Sequence, residues 1–156
     1  MGRMYAVTFE NVAVTAAQDF FEISPADDRP VLIHAIYLSQ STDVGDAAEE
    51  MLRVKIIRGH TTGGSGGTTP TPTPLSSSAG AAAGFTAEVN NTTIASAGTA
   101  VDLHAETFNI RAGLVYIPTP EARPGASQAN TTLVVRLMAA PADALSMSGT
   151  LIVEEL

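Results

Sequence analysis

Apolar and polar residues alternate along most of this chain, and the 3.6-residue period of a helix is nearly absent. In MYAVTFENVAVTA, Tyr5, Val7 and Phe9 share one face and Ala6, Thr8 and Glu10 the other, while Val12 and Val14 resume the apolar face after Asn11. The step from Phe9 to Val12 breaks the alternation and predicts a strand with a bulge. DFFEIS predicts a short strand stopped at Pro25, and SPADDRP is turn chemistry, with prolines that fix φ and aspartates that bond nearby backbone. VLIHAIYLSQ is apolar on both faces, Val31, Ile33, Ala35 and Tyr37 against Leu32, Ile36 and Leu38, which predicts a central strand. Only DVGDAAEEM, Asp43 to Met51, reads as a helical turn, with Asp46 as its cap and Glu49 three residues on. LRVKIIRG alternates cleanly, with Leu52, Val54 and Ile56 inward and Arg53 and Lys55 outward. The segments FTAEVNN, TTIASAGTAVDLHA, ETFNIRAG, LVYIPTP, TTLVVRLMAA and SMSGTLIVEEL are each short and bounded by Gly, Pro, Asn or Asp. About eight to ten strands so spaced predict an all-β, antiparallel sandwich or barrel.

One segment has no period at all. From Thr61 to Gly84 the chain reads TTGGSGGTTPTPTPLSSSAGAAAG, without a charge. Cutting there would leave pieces of 60 and 72 residues, each marginal as a domain, and there are no cysteines to staple them. The 156 residues are therefore expected to form a single sandwich domain, 1–156, with residues 61–84 as an extended arm. TPTPTP favours polyproline II, about 3.1 Å per residue, and the glycines let the arm follow a partner's backbone closely. Thr61, Pro70, Pro72, Pro74, Leu75 and Phe85 are the candidate contact residues of such an arm. An arm thrown outward would be dispensable to the fold, because loop-closure entropy depends weakly on length.

Composition adjusts this picture. Aromatics are 5% of residues and tryptophan is absent, so the core is expected to be built from small branched side chains. The two-sided apolar strands VLIHAIYLSQ and TTLVVRLMAA call for more cover than one small sandwich provides, which predicts self-association, with Ile33, Tyr37 and Val135 as core or interface positions. A net charge of -8 at pH 7, with Lys55 the single lysine and seven scattered arginines, argues against a nucleic-acid partner, because counterion release needs clustered cations. No stretch approaches 18 apolar residues and MGRMYAVTFEN lacks the apolar run of a secretory signal, so a soluble chain with no membrane partner is expected.

Candidate chemistry is sparse. GGSGG, Gly63 to Gly67, matches the form of a nucleophile elbow, but that motif needs a helix after its serine and TTPTPTP follows; Ser65 reads as a loop residue. His34, His60 and His104 lack the spacing that places two metal ligands on one face; His34 reads as a hydrogen-bonded core or interface residue and His60 as a backbone-binding residue at the foot of the arm. Asp43, Asp46, Glu49 and Glu50 could supply oxygens to calcium, although a solvated face or helix cap accounts for them more simply. Asn91 and Asn130 stand in N-x-T sequons, relevant only on a eukaryotic secretory route. The expectation is a non-enzymatic protein, with no catalytic residue, cofactor or metal.

In order along the chain, MYAVTFENVAVTAAQDFFEI, DVGDAAEEMLRVKIIRGH leading into a Gly/Thr/Pro excursion, NTTIASAGTAVDLHAETFNIRAG and LSMSGTLIVEEL together resemble the head decoration, or cement, proteins of tailed bacteriophages. The resemblance lies in pattern, strand order and loop style over most of the chain, with no catalytic motif to carry over. It implies a jelly-roll-like β-sandwich on the outer surface of the virion capsid. The implied partners are the major capsid protein and, in a homotrimer, the chain itself, bridging neighbouring capsid subunits to stabilise the shell. A tail-fibre or head-fibre recognition domain that binds a host receptor or glycan through loops such as Thr119 to Asn130 is the alternative. A glycan hydrolase on a β scaffold is a third reading, weakened by the few aromatics.

Overall fold

A computed structural model describes residues 2–42, 50–77, 80–130 and 132–156. The predicted helical turn and the acidic residues Asp43, Asp46 and Glu49 lie outside that set; Met51 opens a strand. Eleven strands follow in order: β1 (Arg3–Val14), β2 (Gln18–Ser24), β3 (Val31–Gln40), β4 (Met51–Arg58), β5 (Thr73–Pro74), β6 (Thr86–Asn91), β7 (Val101–Asn109), β8 (Leu114–Tyr116), β9 (Gly125–Ala126), β10 (Leu133–Leu137) and β11 (Leu145–Glu155). They form two antiparallel sheets packed as a β-sandwich. Sheet A runs β5-β1-β11-β3-β8, with β9 also on β3, and sheet B runs β6-β2-β10-β4-β7. From β1 to β4 the chain changes sheet at every connection, so successive strands lie in opposite layers of the sandwich.

The alternation in the sequence is the alternation of the sandwich. Tyr5, Val7 and Phe9 point inward, the register of β1 on β11 shifts between Phe9 and Val12, and Asn11 takes a left-handed φ of 53° there, which places the bulge where the pattern broke. Leu52, Val54 and Ile56 are buried as expected. Phe9 stacks against Phe20 and tilts onto Phe21 at the centre of the core. Its cross-strand partner is Gly149, where a Cβ would stand 2.6 Å from the Phe9 ring, so only glycine lets that ring lie inward.

TTIASAGTAVDLHA divides: Thr92 to Ala100 is a loop, and β7 begins at Val101. Val31, Ile33, Ile36 and Leu38 of β3 are buried, while Tyr37 is 39% exposed. The strand is internal to its sheet but covered on one face only. By contrast all of Leu133–Leu137 is buried, so β10 is covered on both faces.

Candidate binding faces

The cover on sheet B comes from the low-complexity segment itself. Residues 62, 65 and 68 make antiparallel bridges to Ser96, Thr93 and Val89, which lays the first half of the arm along β6 and the loop after it. The chain then crosses to the other sheet: β5 pairs with Tyr5 and Ala6, and the Leu75 N–H donates to Met4 O at 2.9 Å. On the way back, the Tyr5 hydroxyl donates to Ala81 O, and the N–H groups of Gly84 and Phe85 donate to Glu155 Oε1. The arm thus folds onto its own domain and closes the side of the sandwich where β1 and β6 are edges.

Residues between strands alternate even here. Pro70, Pro72 and Pro74 are half-buried against the domain, while Thr69, Thr71 and Thr73 face solvent. Thr61 is exposed, Leu75 is 55% exposed, and Phe85 is a core residue whose ring meets Tyr5 edge-on at 5.5 Å. Of the six candidate contact residues, Thr61 and Leu75 keep free side-chain surface; Phe85 is spent on the core. At the foot of the arm Gly59 has φ 99° and Gly98 φ 70°, left-handed values that suit glycine where two backbones pass close together.

Beneath the arm lies a buried polar network. Arg136 Nε and one Nη contact the two carboxylate oxygens of Asp19 at 2.5 and 3.0 Å, a two-point fork with both side chains buried. The Asp19 carboxylate also accepts the Ala95 N–H, and Arg136 donates to Ala95 O, so the loop after β6 is tied down through both its amide and its carbonyl. His60 completes the set. Its Nδ1 lies 3.2 Å from Ala97 O and its Nε2 3.3 Å from Arg136 Nη1; a carbonyl accepts and a guanidinium donates, so Nδ1 carries the proton and Nε2 accepts. The backbone-binding role expected of His60 is therefore joined by a bond to Arg136. Ile57, Ala95 and Val134 form a small apolar cluster beside it.

Glu22 sits in the same layer. Its Oε2 accepts the Gly64 N–H at 2.8 Å and the Asn91 amide at 3.1 Å, and Asn91 also donates to Glu88. Burial pushes the Glu22 carboxyl above the ordinary carboxylate range, the bonds from Gly64 and Asn91 oppose this, and the charges of Glu88 and Asp19 add to it. Asn91 is 1% exposed, so its sequon is closed to a glycan in the folded protein; Thr131 of the Asn130 sequon is outside the described residues.

Among the described residues, the outer face of sheet A is open around Thr8, Tyr37 and Val115. Cross-strand partners Thr8, Thr150, Tyr37 and Val115 make a row across four strands, and Ala6, Ile152 and Ala35 a second. A depression of about 350 Å³ opens between Thr8, Glu10, Tyr37, Ser39, Ser148 and Thr150. Val115 is 66% exposed and Ile117 63%, so the apolar end of this face lies at β8. At the end nearer the start of β3, His34 Nε2 lies 2.6 Å from Glu154 Oε2 and the Gly2 N–H donates to Glu154 Oε1. Burial raises the Glu154 carboxyl, but the His34 bond, the Gly2 N–H, and the charges of His34 and Arg123 outweigh it and hold the group below the ordinary range.

Ser65 lies in the arm with its backbone bridged to Thr93, without the helix that a nucleophile elbow needs. The three histidines stay apart, each with its own partner: Glu154, Ala97 and Arg136, and Glu106 respectively. Sequence reading missed Asp19, Arg136 and Glu22. The signal for them was present as single charges inside apolar runs, Arg136 in TTLVVRLMAA and Asp19 and Glu22 in QDFFEI. Among known proteins, the chain matches no family model, no curated protein and no solved structure.

Proposed function

We propose that this is a non-enzymatic structural protein of a bacteriophage virion, a jelly-roll-type sandwich that binds the outer capsid surface and bridges neighbouring capsid subunits, assembled as a homotrimer. Two observations support the fold part of the reading. Without β5, β6 and β9, the sheets run β1-β11-β3-β8 and β2-β10-β4-β7, the order expected of two interlocked Greek keys. The arm is an insertion between the strands that would be the fourth and fifth of that set.

The function part is carried by the contrast between the two outer faces. Sheet B is roofed by the chain's own arm and loop, whereas sheet A presents Thr8, Thr150, Tyr37 and Val115 uncovered. A broad, mostly uncharged face with a shallow depression and apolar residues at one end suits a protein surface better than a small substrate. Contact is accordingly assigned to sheet A and to the threonine side of the arm, with its prolines kept for internal packing.

The experiment is co-sedimentation of the purified chain with DNA-emptied shells of the virus that encodes it. The expected result is saturable binding that protects the shells against heat, and loss of binding by about tenfold or more in Val115→Lys, which places a charge at the apolar end of the face. Wild-type protein that stays in the supernatant at micromolar concentration overturns the reading.

A further inference from the structure

At one end of the sandwich, carboxylates and cations do not balance locally. Glu154 is engaged at both oxygens, by His34 and by the Gly2 N–H. Glu155 is engaged as well, by the Gly84 and Phe85 N–H groups on one oxygen and by Arg29 at 3.6 Å on the other. Two further arginines lie nearby, of which Arg123 acts on Glu154 through its charge but makes no ion-pair contact with it among the described residues. Arg58, the last residue of β4, and Arg123, just before β9, both line a groove of about 320 Å³ that Leu32 and Gly125 also line. Neither makes an ion pair among the described residues. Arg58 Nη1 donates to Gly125 O at 3.0 Å, which fixes one edge of its guanidinium and leaves its other donors unassigned. Among the described residues, the buried Arg123 Nε has no acceptor. A buried donor left without a partner is costly, and costlier on a cation.

In a chain of net charge -8, two arginines converge on one groove whose lining residues include no carboxylate. We propose that this groove is an oxyanion site, shaped for a carboxylate, in which Arg58 and Arg123 share the two oxygens and Arg123 Nε gains its missing acceptor. Planar guanidinium forks suit a carboxylate or a phosphate oxygen pair. The same chemistry is offered by an acidic side chain of a partner protein and by a free anion.

The full-length chain, labelled with nitrogen-15, is titrated with three probes: sodium acetate, inorganic phosphate and a short glutamate-rich peptide, each against sodium chloride at matched ionic strength. The signals followed are the Arg58 and Arg123 Nε–H and the Gly125 amide. Saturable shifts confined to these groups are expected, with affinity about tenfold or more weaker in Arg123→Ala and Arg58→Ala, and intermediate in Arg123→Lys, which keeps the charge but loses the fork. Unchanged amide signals of Val7 and Leu151, paired in the core away from the groove, show without probe that each variant has folded. Saturation by the peptide at lower concentration than acetate assigns the site to a partner's acidic side chain; saturation by phosphate or acetate alone assigns it to a free anion. Shifts no larger than those with chloride, for all three probes, overturn the proposal, as does equal affinity in the arginine variants.

Discussion

At the scale of single residues, the buried charges beneath the arm set the strongest expectations. Asp19→Ala strands the Arg136 guanidinium in a covered site, and a loss of about 3–5 kcal/mol in denaturant unfolding is expected. Replacing both, with Asp19→Leu and Arg136→Met, recovers part of this. It leaves the double variant below the parent, by about 1–3 kcal/mol for each Ala95 backbone group that no longer has a partner. Full recovery would show that Ala95 finds water and that the pair contributes nothing beyond itself. Glu22 and Glu154 make a second test, with opposite signs. The raised Glu22 carboxyl is a charge that folding disfavours, so its contribution to stability improves as pH falls through its raised value toward the ordinary value of 4.5. The lowered Glu154 carboxyl contributes stability that is present above 4.5 and is lost as pH falls through its folded value. Subtracting the stability-versus-pH curve of each Glu→Gln variant from that of the parent is expected to give slopes of opposite sign in the acid range. Slopes of the same sign would contradict the environments described.

At the scale of elements, the arm is the revealing case. Its extended character was legible in TPTPTP, and so was its freedom from helix. Its direction was not, because a low-complexity segment of Gly, Thr and Pro carries no apolar period to say which face it lies on. The information lay elsewhere, in Arg136, Asp19 and Glu22, whose charges within apolar strands require a roof. The strands themselves were legible wherever one face is apolar, as in β1 with its bulge and in β4. On the outer side of β10, Val134 is covered from within the chain, by Ala95 of the loop after β6 together with Ile57. An arm paired and bridged in this way is expected to contribute to the stability of the fold. Replacing residues 61–84 by a short Gly/Ser turn is expected to cost at least about 2 kcal/mol, by uncovering apolar area and buried polar groups, and to promote aggregation through the freed β1 and β6 edges. Changing Pro70, Pro72 and Pro74 to Ala keeps those pairings and is expected to cost about 1–3 kcal/mol in total, chiefly through the unfolded chain. Equal stability of the shortened protein in chemical unfolding would mean that the arm's contacts carry no weight.

At the scale of the whole molecule, one adjacency has a consequence for how the protein is made. β11 lies between β1 and β3, with ten paired positions on β1 and nine on β3. While a ribosome is still making the chain, neither of those long strands has its main partner, and sheet A cannot close until Leu145–Glu155 has emerged. Sheet B is in the same position a little earlier, since β10 joins β2 to β4. Non-local pairing of this kind slows folding to the millisecond-to-second range and keeps apolar strands waiting in the open. Synthesis would then behave less like gradual growth than like the closing of a clasp: a chain halted a few residues short of its last strand remains a substrate for chaperones and proteases, and one that completes it becomes protected in a single step.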